Sequence, residues 1–129
     1  MFKVLRYIRY DIPRGIKNII KWTPVIWRDR DWDYYFLFVI MEFKLKQMEK
    51  LFRNYGMGLH SVRDADRMKI CRLLIERINE DNYYNMYKEG KVFKFDKSPK
   101  IFEIEARQIK QDKEYLFKIM NKYILTWWD

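Results

Sequence analysis

Seven-residue spacing governs the middle of this chain. Phe38, Leu45 and Phe52 recur every seventh position, and Tyr34, Met41, Met48 and Tyr55 form a companion seam. Apolar residues at that spacing share one face of an α-helix, whereas on a strand they would alternate between faces. The pattern predicts a helix from about Asp31 to Tyr55, with Gly56 as its C-terminal stop. Phe36, Leu37, Val39 and Ile40 widen the stripe in its first half, so that half is expected to meet more than one partner. A helix with so broad an apolar face is stable only when others pack on it.

Two further long helices are legible. Gly56-Met57-Gly58-Leu59-His60 reads as a short connection, and a second helix is expected over residues 61–88. Ala65, Met68, Cys71, Leu74, Ile75 and Ile78 give its helical spacing, and the Ser61 hydroxyl is placed to cap the amide of Asp64. A third is expected over residues 98–127, opened by Ser98 as cap and Pro99 at the first helical position. Its apolar face is Ile109, Leu116, Met120, Tyr123 and Trp127. The alternating stretch from Lys91 to Asp96 has no evident strand partner and is read as an extended loop.

Before residue 30 lie two short basic amphipathic pieces, with Ile16, Ile19 and Ile20 on one side and lysines on the other. Pro24 is expected to end any helix there. Four glycines and three prolines in 129 residues leave little room for a turn-dense β fold. The expected fold is therefore all-α and single-domain over residues 1–129. It comprises three long helices in a bundle-like arrangement, preceded by short basic amphipathic helices in residues 1–30.

Charge is concentrated at the ends. The whole carries 27 basic and 18 acidic groups, for +9. Residues 1–28 hold Lys3, Arg6, Arg9, Arg14, Lys17, Lys21 and Arg28 against Asp11 alone, for +6, while residues 29–89 are balanced. Lys3, Arg6 and Arg9 interrupt the apolar run that a secretory leader needs. A membrane-spanning helix needs about 20 apolar residues, and the run from Tyr34 to Met41 has eight. A lone cysteine excludes a disulfide framework. The expectation is a soluble chain in a reducing compartment, with an interfacial membrane anchor in residues 1–27 as one alternative.

Most catalytic templates fail. Asp29, Asp31 and Asp33 alternate as a calcium loop begins, but Tyr34 stands where that loop needs Gly and Ile40 where it needs Glu. Their simpler role is at a helix N-terminus and beside Arg28 and Arg30. Gly56-x-Gly58 continues to Ser61 and is no dinucleotide fingerprint, and no Walker-type Gly-Lys-Ser/Thr occurs. Cys71 sits on an apolar face, where a thiol is inert rather than nucleophilic. Glu76 and Glu80 would suit a di-metal bundle, but the Glu-x-x-His steps are missing and the single histidine, His60, is elsewhere. The expectation is no enzyme, no metal and no cofactor.

Aromatic residues are the unusual asset: five Trp, ten Tyr and nine Phe. Many neighbour cations, as in Arg6-Tyr7, Arg9-Tyr10, Lys21-Trp22, Trp27-Arg28 and Arg30-x-Trp32. Rings stack on bases and cations meet phosphates, so the pattern suits nucleotides, single-stranded nucleic acid or anionic headgroups. The same residues also suit a bundle core with polar tips at its rim. Between Arg72 and Asn85 the polar residues crowd: Arg77 and Asp81 can pair, and Asn79 and Asn82 share a face. That cluster is either a network between helices or a site for a base edge. The apolar stripe exceeds what one small bundle hides, which points to a homo-oligomer.

The tract Trp27-Arg28-Asp29-Arg30-Asp31-Trp32-Asp33-Tyr34-Tyr35, then Glu42-Phe43-Lys44-Leu45-x-x-Met48-Glu49, and later Ile70-Cys71-Arg72-Leu73-Leu74-Ile75-Glu76-Arg77-Ile78-x-Glu80-Asp81-Asn82-Tyr83 resembles a group of small proteins of tailed bacteriophages. The resemblance covers roughly residues 14–88. It implies a setting, the cytoplasm of an infected bacterium, and no residue role. Phages encode small basic oligomeric proteins that sequester the nucleotide signals of bacterial immunity, such as cyclic oligonucleotides and cyclic ADP-ribose isomers. By analogy of setting and composition, the expected function is non-enzymatic binding and sequestration of an anionic nucleotide. Arg14, Lys17, Arg28 and Arg30 are then assigned to phosphates and Trp22, Trp27 and Trp32 to stacking. Arg72 and Asn82 are assigned to contacts at the helical interface. The alternatives are a nucleic-acid-binding accessory protein and a structural or protein-interaction factor.

Overall fold

A computed structural model describes residues 1–32, 34–79 and 100–127, and every regular element among them is helical. The chain divides into two compact units, Met1–Ile40 and Met41–Asp129. The stretches expected as the end of the second helix, the 91–96 loop and the Ser98-Pro99 cap lie outside the described residues, as do Asp33 and Asn82.

The first unit begins with a nearly unbroken helical run. Helix α1 (Phe2–Arg6) passes into a π-helical turn (Tyr7–Asp11) and on into α2 (Ile12–Ile26). Two separate pieces ended by Pro24 were expected, and both parts of that expectation need correction. Proline in a helix removes one N–H and crowds the carbonyl four residues back. At Pro13 that carbonyl belongs to Arg9, inside the π-turn, where the wider ladder gives it room. Pro24 lies within α2, and beside it the Thr23 hydroxyl donates to the Ile19 carbonyl at 2.6 Å. The helix then continues long enough for the Trp27 amide to reach the Thr23 carbonyl at 3.0 Å. No residue from Phe2 to Ile26 is buried.

Helix α3 (Tyr34–Tyr55) begins three residues later than the heptad pattern predicts, because Asp31 and Trp32 form a turn. Leu45 and Phe52 of its seam are buried, while Tyr34 and Tyr55 at the ends of the companion seam are exposed. Gly56, at φ +57°, turns the chain out of α3 through the left-handed region that glycine occupies without strain.

The second unit is a three-helix arrangement of α3 from Met41 onward, α4 (Ser61–Asn79) and α5 (Lys100–Tyr123), ending in a 3₁₀ turn (Ile124–Thr126). Cross-links fix the directions. Arg53 reaches Asp66 and Arg72 reaches Glu49, so α4 runs antiparallel to α3. Arg77 reaches Asp112 at 3.0 Å and Arg67 lies over the Tyr123 ring, so α5 runs antiparallel to α4. Ala65, Met68, Cys71, Leu74 and Ile75 of α4 share the core with Leu45, Phe52, Leu116, Ile119 and Trp127.

Ser61 does something other than cap its own helix. Its hydroxyl donates to the Phe52 carbonyl at 2.6 Å in a buried setting, while Asp64 N–H takes the His60 carbonyl at 2.9 Å. The last turn of α3 leaves carbonyls without helical partners, and the Ser61 hydroxyl satisfies one of them.

Candidate functional site

The residues assigned to ligand from sequence fall in different places. Arg14, Lys17, Trp22, Trp27, Arg28, Arg30 and Trp32 all belong to the first unit, Arg72 to the second. Arg14 and Lys17 are exposed on α2, and Arg14 sits 4.0 Å from Asp11, a long and solvated pairing. Trp22 is half-buried. Trp27 is 82% and Trp32 81% exposed, far outside the range of a core tryptophan.

Helix α2 sorts its residues by side. At 3.6 residues per turn, Ile12, Ile16, Ile19, Ile20 and Ile26 fall within about a third of the circumference, and Arg14, Lys17 and Lys21 fall opposite. The cations therefore form one surface. Lys21 joins them although the sequence reading did not assign it a role; its i+4 step from Lys17 was the available signal.

Arg30 and Trp32 stand apart from that surface. They line a hollow of about 410 Å³ with Asp29, Asp31, Phe36 and Ile40. Two carboxylates against one guanidinium make this hollow a poor receptor for an anion. Among the described residues neither Arg28 nor Arg30 is in an ion pair, so the expected pairing of Asp29 and Asp31 with these arginines is absent there.

Arg72 has structural work. Its side chain is 18% exposed, with Nε 3.1 Å from Glu49 Oε2 and Nη1 3.6 Å from Glu76 Oε2. Glu49 also receives Arg53 Nε at 3.2 Å, and Arg53 continues to Asp66 at 2.7 Å. The two carboxylates hold the Arg53 guanidinium more firmly protonated than usual, the hydrogen bond it donates to Asp66 contributing most. Of the two readings of the polar cluster on α4, Arg72 thus fits the network between helices. Glu49, its hub, was missed: its i+4 relation to Arg53 was visible, its partner on α4 was not. Arg77 likewise reaches across to Asp112, while Asp81 lies outside the described residues.

A second polar group joins the first turns of α4 to the end of α5. Asp64, buried, receives Arg67 at 3.2 Å, and the Arg67 guanidinium carbon lies 3.5 Å from the centre of the Tyr123 ring. Hydrogen bonding from Lys122 lowers the Tyr123 phenol below its ordinary range, helped by the charges of Lys122, Arg67 and Arg63.

The candidate nucleophile is closed off. Cys71 is fully buried, and desolvation pushes its thiol up to about 11. His60 is exposed in the α3–α4 loop, which borders a hollow of about 620 Å³ with Gly56, Gly58 and Arg63. Among the described residues no cluster of His, Cys, Asp or Glu is grouped to hold a metal ion, and no helix is long and apolar enough to cross a membrane.

No family model, curated protein or solved structure matches the chain.

Proposed function

We propose that this chain is a non-catalytic binding protein whose working surface is its first unit and whose ligand carries phosphate. The observation that carries the reading is the run Phe2–Ile26. Six cations stand on it against one carboxylate, no residue is buried, and exposed tryptophans follow it at 27 and 32. A second unit stabilised by its own core and ion pairs leaves such residues without a structural task. In the phage setting that the sequence resemblance implies, the ligand is an anionic nucleotide signal of host immunity, bound and withheld from its receptor.

Arg14, Lys17, Lys21 and Arg28 then meet phosphates and Trp27 offers a ring for a base. Arg30 and Trp32 contribute less, because Asp29 and Asp31 share their hollow. Homo-oligomerisation belongs to the same proposal, through a face other than the +6 N-terminal segment, whose charges would repel.

Native mass spectrometry of the chain purified from bacteria, before and after heat release of small molecules, tests it. A nucleotide-sized adduct that Arg14→Ala and Lys17→Ala weaken, with helical circular dichroism unchanged, is the expected result. No adduct after incubation with cyclic nucleotides and ADP-ribose derivatives would remove the nucleotide. A steep fall of affinity with salt would instead point to a long nucleic acid, whose many phosphate contacts release counterions.

A further inference from the structure

Phosphate binding uses the cationic side of α2 and leaves the isoleucine side without a task. Ile12, Ile16, Ile19, Ile20 and Ile26 are each at least two-fifths exposed. Trp27, whose backbone stays helical one residue beyond α2, extends that stripe. A soluble chain gains nothing from five isoleucines in water, and a nucleotide has no use for them.

We propose that α2, with α1 and the π-turn ahead of it, lies on an anionic lipid bilayer. Its isoleucine face sinks into the boundary between headgroups and acyl chains, and its cations are held near lipid phosphates. The inference rests on the reading above only in placing the working surface at the N-terminus.

Charge selects this occupant. A second copy would cover the isoleucines but set two +6 segments side by side and leave their cations unanswered. The remainder of the chain supplies no counter-charge either, since residues 41–129 hold nineteen cations against fourteen carboxylates. A bilayer with anionic lipids is apolar beneath and negative above, the order in which the helix presents its two sides. The cations lie about one helix diameter from the apolar face, roughly 10–12 Å. That is close to the Debye length of about 8 Å at physiological salt, and long lysine and arginine stems shorten the gap. With six cations and a carboxylate along Phe2–Ile26 the run lacks the apolar length that spanning needs, so it lies along the surface. Trp27 then sits at headgroup level, where an indole has both an apolar and a polar neighbour.

Flotation of the full chain with phosphatidylcholine vesicles, with and without phosphatidylglycerol, tests the proposal. Binding is expected to the anionic vesicles and not to phosphatidylcholine alone. Arg14→Ala, Lys17→Ala and Lys21→Ala should each weaken it roughly fivefold at low salt. Ile16→Asp with Ile19→Asp should weaken it at least about tenfold. Ile16→Ala with Ile19→Ala, which favours helix and removes only apolar area, should act in the same direction. The alanine pair changes no charge, so nucleotide binding should survive it, and the two readings fail separately. The proposal is overturned by no flotation with anionic vesicles at low salt, or by isoleucine variants that float like the wild type. It is equally overturned if those variants turn an oligomer into a monomer in light scattering, which would give the face to a second copy.

Discussion

Arg14 and Arg72 share a side-chain type and differ in everything that decides its use. Arg14 stands in solvent beside one distant carboxylate, whereas Arg72 is clamped between Glu49 and Glu76 across two helices. Arg72→Ala strips Glu49 of a hydrogen-bonded partner in a partly buried place, so it should lower stability by about 1–3 kcal/mol in urea denaturation. Arg14→Ala should leave the denaturation midpoint where it is and act on binding alone. Equal effects of the two on stability would contradict the division between scaffold and surface. Cys71 gives a residue-scale test through pH. Its thiol is held near 11 in the folded chain against an ordinary value of 9.0, so the protonated form is favoured by folding. The unfolded chain therefore releases its proton first as pH rises, and the thiol's contribution, complete below pH 9, is lost between about 9 and 11. Native protein at pH 8 should resist a disulfide reagent and react once unfolded; rapid labelling of the folded chain would place Cys71 at the surface.

The turn between α3 and α4 shows what an element owes to a single hydroxyl. Ser61→Ala removes the bond to the Phe52 carbonyl and leaves that buried acceptor unsatisfied, which should cost about 1–2 kcal/mol in thermal or urea unfolding. Gly56→Ala should cost about 1 kcal/mol by backbone strain alone, since no atom lies within 4 Å of the added carbon. If Ser61→Ala is as stable as the wild type, the last turn of α3 is satisfied some other way. These same elements mark how far the sequence could be read. The spacing of Phe38, Leu45 and Phe52 and of Ala65, Met68 and Cys71 predicts α3 and α4, because local periodicity records which face will be buried. Ser61 was legible as a capping residue but its acceptor was not, since Phe52 is nine positions away and only the folded hairpin brings it near. Pro24 misled for a related reason: proline's cost is local, while the Thr23–Ile19 bond and the surviving Trp27–Thr23 bond decide whether the helix continues. At the site, the exposed cations and tryptophans of the first unit were readable from charge and composition. The acidic company of Arg30 and the clamp on Arg72 needed the fold.

At the scale of the whole molecule, the two units differ in how they satisfy their side chains. The second holds a core of Phe52, Met68, Cys71, Ile75 and Leu116, all almost wholly buried, tied by Arg53–Asp66, Arg72–Glu49 and Arg77–Asp112. The first leaves its cations, the isoleucines of α2, Trp27 and Trp32 exposed, and the proposed ligand would meet them there. Amide hydrogen exchange of the full chain, alone and with anionic phosphatidylglycerol vesicles or a bound nucleotide, tests this division most directly. New protection is expected within residues 2–32 and none in residues 61–79 or 100–123. Protection that appears in α4 or α5 instead, or an exchange map that neither ligand changes, would contradict it.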